Sequence, residues 1–104
     1  MFEELDSESF DEFVSEGLVV VDFWAPWCGP CKVLEKTLES VAEKREGLIE
    51  IGKVNTDSNM DLAQRFGVRS IPTIMIYKDG EKVRELIGSQ SEGDFLAELD
   101  QITD

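Results

Sequence analysis

Leu18-Val19-Val20-Val21-Asp22-Phe23-Trp24-Ala25-Pro26-Trp27-Cys28-Gly29-Pro30-Cys31-Lys32 is the stretch from which the architecture of this chain can be read. Its first seven residues are an almost unbroken β-branched and aromatic run, which predicts a strand buried on both faces of a sheet. From Cys28 to Lys44 the pattern changes. Cys31, Leu34, Leu38, Val41 and Ala42 recur at helical spacing, while Glu35, Lys36, Glu39 and Glu43 take the outward positions. A strand with two apolar faces leading into an amphipathic helix is the start of a βα unit. Helices must then cover both sides of the sheet.

The flanking sequence extends the same plan. Leu48 to Val54 predicts a second strand, left through Asn55-Thr56-Asp57, and Met60 to Phe66 a short helix stopped at Gly67. Thr73 to Lys78 and Lys82 to Ile87 read as two strands joined by an Asp79-Gly80 hairpin turn. Ser91 opens a last helix, with Asp94 in a capping-box-like position and Phe95, Leu96, Leu99 and Ile102 inward. On the N-terminal side, Ser7 to Val14 predicts a helix capped by Ser7 and broken by Gly17, and Met1 to Leu5 a short edge strand. The expected fold class is α/β, a mixed sheet with helices on both faces. No repeat or linker divides the chain, so residues 1–104 are expected to form one domain.

Composition narrows the function. With 41% hydrophobic residues the chain can bury one core, and its apolar runs are too short to span a bilayer. Met1-Phe2-Glu3-Glu4 has neither a basic nor an apolar leader, which reads as a cytoplasmic chain. The absence of histidine excludes Ser–His, Cys–His and His-ligated metal mechanisms. The formal charge of −13 is concentrated at the ends: Glu3, Glu4, Asp6, Glu8, Asp11, Glu12 and Glu16 on one side, Glu92, Asp94, Glu98, Asp100 and Asp104 on the other. These acids read as solvated faces, with a surface for basic partners as the alternative. No basic stripe is present to neutralise phosphates, so no nucleic-acid partner is expected.

The chain has two cysteines, Cys28 and Cys31. At a helix start, two thiols so spaced can close into a disulfide or stand open, and the helix amides favour the thiolate of the first. Cys28 is therefore expected to be the exposed attacking sulfur and Cys31, one turn inside, the resolving one. A zinc site pooled between two copies, a purely structural disulfide and two unrelated core cysteines all remain compatible with the bare pair.

The neighbours of the pair go further. Val21-Asp22-Phe23 and Trp24-Ala25-Pro26-Trp27-Cys28-Gly29-Pro30-Cys31-Lys32 resemble the active-site segment of the thioredoxin family. The resemblance continues in order through Lys53-Val54-Asn55-Thr56-Asp57, Ile71-Pro72-Thr73, Lys78-Asp79-Gly80 and Gly88. It implies a thioredoxin fold, a central sheet of four to five strands flanked by four helices. It also implies a protein-disulfide reductase in which Cys28 attacks a target disulfide and Cys31 resolves the mixed disulfide. The family's partners are disulfide-containing target proteins and a thioredoxin reductase that returns the electrons. No bound cofactor, no metal and no membrane contact are implied, and a monomer is expected.

The resemblance also assigns supporting residues. Asp22 becomes a buried acid behind the cysteines, able to take the proton of Cys31. Lys53 becomes the lysine beside it, the alternative being an ordinary strand-end lysine. Gly29 and Pro30 match the reducing members, since oxidising and isomerising relatives usually carry a histidine there. Pro72 follows a bond that is cis in the family, and Trp27, Ile71 and Gly88 form the apolar rim that receives substrate. Trp24 reads as packing; Phe23, Phe66, Tyr77 and Phe95 read as core. Lys36 departs from the family pattern, which often has a kinking proline there, so an unbroken helix is expected. The rival reading from another class is a binding module that keeps the groove without redox turnover.

Overall fold

The computed structural model describes residues 2–103. Among these, the elements in chain order are β1 (Glu3–Glu4), α1 (Phe10–Phe13), β2 (Leu18–Trp24), α2 (Gly29–Lys44), β3 (Glu50–Asn55), α3 (Met60–Arg65), β4 (Thr73–Lys78), β5 (Glu81–Ile87) and α4 (Glu92–Ile102). The sheet order is β1-β3-β2-β4-β5. β3 runs parallel to both β1 and β2, whereas β4 is antiparallel to β2 and to β5. This is the thioredoxin-type α/β arrangement, a mixed sheet of five strands with four helices.

Alternation along the strands sorts the core into two layers. Val19, Val21 and Phe23 of β2, with Met75 and Tyr77 of β4, join Phe10, Val14 and Leu62. Val20 of β2, with Ile74 and Ile76, joins Leu34, Leu38 and Val41 of α2 and Phe95 and Leu99 of α4. β2 lies between β3 and β4, so its interior residues meet backbone on both edges and side chains on both faces. Val19, Val20, Val21 and Phe23 are accordingly removed from solvent.

Turn chemistry explains most boundaries. Asp79 and Gly80 both take positive φ (51° and 89°), the backbone that a two-residue hairpin requires. The Asp79 side chain also accepts the Gly17 N–H at 2.9 Å, and the Asp79 N–H donates to the Gly17 carbonyl at 2.9 Å. The hairpin tip thus clamps the entrance to β2. Ser91 caps α4 by accepting the Asp94 N–H at 3.1 Å.

After the edge strand, two element starts lie two or three residues from the sequence reading, and the other differences are of one residue. α1 begins at Phe10 instead of Ser7, because the Asp6 carboxylate accepts the N–H groups of Glu8 (2.9 Å) and Ser9 (3.0 Å). That local turn holds residues 6–9 out of the helix. β3 begins at Glu50 instead of Leu48: Gly47 takes φ 82°, and the Leu48 N–H donates to the Arg45 carbonyl, so Leu48 sits exposed in a turn. The edge strand is present as Glu3–Glu4; Met1 lies outside the described residues. α2 passes through the exposed Lys36 as continuous α-helix, as expected for a residue that keeps its N–H.

Gly52 sets how closely the edge strand approaches. A Cβ there would lie 2.7 Å from Leu5 Cδ1 and 2.8 Å from Phe13 Cε2, and Leu5 is itself buried. Gly52→Ala is therefore expected to destabilise the fold by about 1–3 kcal/mol, the usual range for overpacking. Urea unfolding checks this; an unchanged midpoint would mean that Leu5 and Phe13 yield freely.

Candidate active site

At the C-terminal end of β2 the chain turns through Ala25-Pro26-Trp27, closed by the Cys28 N–H donating to the Ala25 carbonyl at 3.1 Å. Cys28 is the N-cap of α2, and its Sγ accepts the Cys31 N–H at 3.2 Å. A sulfur thus occupies the capping role that a hydroxyl or carboxylate oxygen usually fills. Gly29 and Pro30 form the exposed first turn, where the missing proline N–H leaves no intrahelical bond unmade. Cys28 and Cys31 are joined as a disulfide, with Cα atoms 5.3 Å apart.

Exposure does not separate the two cysteines as expected: Cys28 is 4% and Cys31 2% exposed. Bonded to each other, both sulfurs pack with Ala25, Trp24 and Ile71, and this contact covers Cys28 as well. What distinguishes Cys28 is its place ahead of the first helical turn, where an amide donor and the positive helix end favour a thiolate.

Asp22 is fully buried in the middle of the sheet. It shares a β2 face with Val20, which packs on Leu34 and Leu38, so it faces α2. Neither carboxyl oxygen has a hydrogen-bond partner among the described residues. Burial pushes its pKa from 3.8 up to about 7; the nearby Lys53 charge pulls it down, while Glu35 and Glu4 push it up.

Lys53 is directly opposite Asp22 in the parallel β2–β3 register, so both side chains lie on one face. It is 6% exposed, which rules out the ordinary strand-end lysine. Its ammonium nonetheless does not bond Asp22. It donates to Glu35 Oε1 at 2.7 Å and lies 4.1 Å from the centre of the Trp24 ring. Glu35, expected to face outward, is only 36% exposed because this ion pair draws it down toward the sheet.

Around the disulfide, Trp27 is 70% exposed and is held by its Nε1–H donating to the Asp57 carboxylate at 3.1 and 3.3 Å. Trp27 and Ile71 line a shallow groove of about 330 Å³ with Thr56, Ala63, Val68 and Ser70. The Ile71–Pro72 bond is cis. The Gly88 N–H donates to the Pro72 carbonyl at 2.8 Å, and the Thr73 hydroxyl to the Ser70 carbonyl at 2.6 Å. These bonds hold the proline loop next to the cysteines. Asp57 and Glu35 were missed as site residues. No local pattern links Trp27 with Asp57, and only the adjacency of the β2 and β3 ends brings them together.

Among the described residues, no group of three or more Cys, Asp or Glu side chains is arranged to hold a metal ion. Two sulfurs that are bonded here, and that helix amides can hold as thiolate when the bond opens, have one evident chemistry: exchange of a disulfide for a dithiol. Fold and site together define a thiol–disulfide oxidoreductase acting on protein disulfides.

Comparison with known proteins agrees. The thioredoxin family profile matches residues 1–101. The chain is 42% identical over 102 residues to a thioredoxin of Listeria monocytogenes, covering 98% of this chain and 95% of that one. It is 51% identical over 71 residues to thioredoxin 1 of Nostoc sp., covering 68% of this chain and 66% of the relative. Among solved structures, a thioredoxin mutant from Halobacterium salinarum aligns with a TM-score of 0.89 at 34% identity, over 98% of this chain and 90% of the other. The chain belongs to the thioredoxin family.

The raised pKa of Asp22 has a definite consequence for stability. Between pH about 4 and about 7 the folded state holds a proton that the unfolded state releases, so stability falls as pH rises through this window and levels off above it. Asp22→Asn removes that penalty. It is expected to leave stability unchanged below pH 4 and to raise it by a few kcal/mol above pH 7. Denaturant unfolding at several pH values checks this; a gain independent of pH would show that Asp22 titrates normally.

Proposed function

We propose that this chain is a cytoplasmic protein-disulfide reductase, a single domain over residues 1–104 that works as a monomer without bound cofactor. Its electrons come from a thioredoxin reductase, and its targets are disulfide-containing proteins. The carrying observation is the Cys28 sulfur at the α2 N-terminus, accepting the Cys31 N–H and able to close onto Cys31. The absence of histidine in the Gly29-Pro30 spacer supports the reducing direction.

In this mechanism the reduced chain presents Cys28 as thiolate. Its sulfur attacks one sulfur of the target disulfide; the target S–S bond breaks, a mixed disulfide forms, and the first target thiolate leaves. Cys31 then gives its proton to the Asp22 carboxylate, and its sulfur attacks Cys28. The second target sulfur departs as thiolate, to be protonated from Asp22 or solvent, and the Cys28–Cys31 bond forms. Two electrons pass from the chain's dithiol to the target. Trp27, Ile71, Pro72 and Gly88 receive the target segment across the apolar rim, Gly29 and Pro30 shape the turn, and Lys53 restrains the Asp22 pKa. The exposed indole beside the sulfurs supports that contact surface.

A binding module using the same groove would hold targets without turning them over. Reduction of insulin disulfides by dithiothreitol separates the readings: the chain is expected to accelerate it, and Cys28→Ser to abolish the acceleration. Incubated with an oxidised target, Cys31→Ser is expected to accumulate a mixed disulfide through Cys28, whereas Cys28→Ser traps none. Equal trapping by both variants would refute the division of roles.

A further inference from the structure

The ion pair between Lys53 and Glu35 is the best-placed charged contact that the exchange chemistry does not use. Its Nζ–Oε1 distance is 2.7 Å, and the lysine side chain is only 8% exposed. A buried lysine opposite a buried aspartate in strand register would ordinarily be taken as its counter-ion. Here the lysine reaches past Asp22 to the helix and lies over Trp24, while both Asp22 oxygens lack a donor.

We propose that Glu35 is a positioning residue for the Cys31 step: by holding the Lys53 ammonium against α2, it keeps Asp22 unpaired and therefore effective as a proton acceptor. This rests on the reading of Asp22 as the acceptor of the Cys31 proton. The groups that act on Asp22 are Lys53 on β3, Glu35 on α2 and Glu4 on β1, and Cys31 lies in the first turn of α2. Lys53 alone favours the carboxylate, and Glu35 opposes it both by its own charge and by occupying the lysine. A carboxylate freely paired with Lys53 would ionise at lower pH. It would then be a weaker base when the Cys31 S–H gives up its proton and its sulfur displaces the target from Cys28.

The test is an NMR titration of the Asp22 carboxyl in the full chain, in wild type and Glu35→Gln, the latter keeping the shape but removing the charge that holds Lys53. The Asp22 midpoint is expected to fall by about one pH unit, in line with an opposite charge no longer offset. The pH midpoint for release of target from the mixed disulfide is expected to fall with it. Glu35→Asp, which keeps the charge, is expected to remain within a few tenths of a unit of wild type. An unmoved or raised midpoint in Glu35→Gln, or an equal fall in Glu35→Asp, overturns the proposal. Asp22→Asn tests the underlying reading separately: undiminished target release there would remove the acceptor role, while the titration still decides whether Glu35 controls Asp22.

Discussion

The structure depends on the burial of β2. It lies between a parallel and an antiparallel neighbour, and its residues face helices on both sides, so β3 and β4 are placed directly against it and the edge strands β1 and β5 through them. Apolar side chains of this size contribute roughly 1.5–3 kcal/mol each when fully buried, and β2 contributes four in succession around Asp22. The end of such a strand is a fixed point. A helix that starts directly after the Ala25–Cys28 turn inherits that rigidity, which holds the two sulfurs at its first turn in place.

The same burial creates the site's one electrostatic liability. Asp22 occupies a position that its neighbours fill with valine and phenylalanine, and its carboxyl lies among groups that do not bond it. A domain gains only about 5–15 kcal/mol in total from folding, so an ionised carboxylate left this way is a large fraction of the reserve. The surrounding charges moderate the effect instead of cancelling it, because Lys53 is shared with Glu35. Stability is therefore given up above neutral pH, where the folded chain must hold this buried carboxyl ionised.

The surface acids behave differently. Asp11 pairs with Arg65, Asp100 with Arg45, Glu98 with Arg84 and Glu92 with Lys44, in exposed or half-exposed positions. Exposed pairs of this kind contribute about 0–1 kcal/mol each, so their role is mainly to link α1 to α3 and α4 to α2 and β5. Of the N-terminal acids, Asp11 and Glu12 lie on α1 and Glu3 and Glu4 on β1, whereas Glu92, Asp94, Glu98 and Asp100 all lie on α4.

The sequence by itself determined the elements and the chemistry. β2, β4, the hairpin at Asp79-Gly80, the capped helix at Ser91 and the dithiol at Cys28 and Cys31 are each written in a handful of adjacent residues, because hydrophobic period, turn backbone and helix capping are local properties. Where two local signals competed, as Asp6 with Ser7 and Gly47 with Leu48, the boundary moved by two or three residues. Only the tertiary structure decided which charges meet. Glu35 and Lys53 are 18 residues apart, and Trp27 and Asp57 are 30 apart. Neither member of either pair carries a mark of its partner, since an ion pair or hydrogen bond between distant residues is fixed by strand register and helix packing. The same holds for the shielding of Cys28, which comes from Trp24 and Ile71 folding over the disulfide, a contact that exists only once the proline loop has been brought to the end of β2.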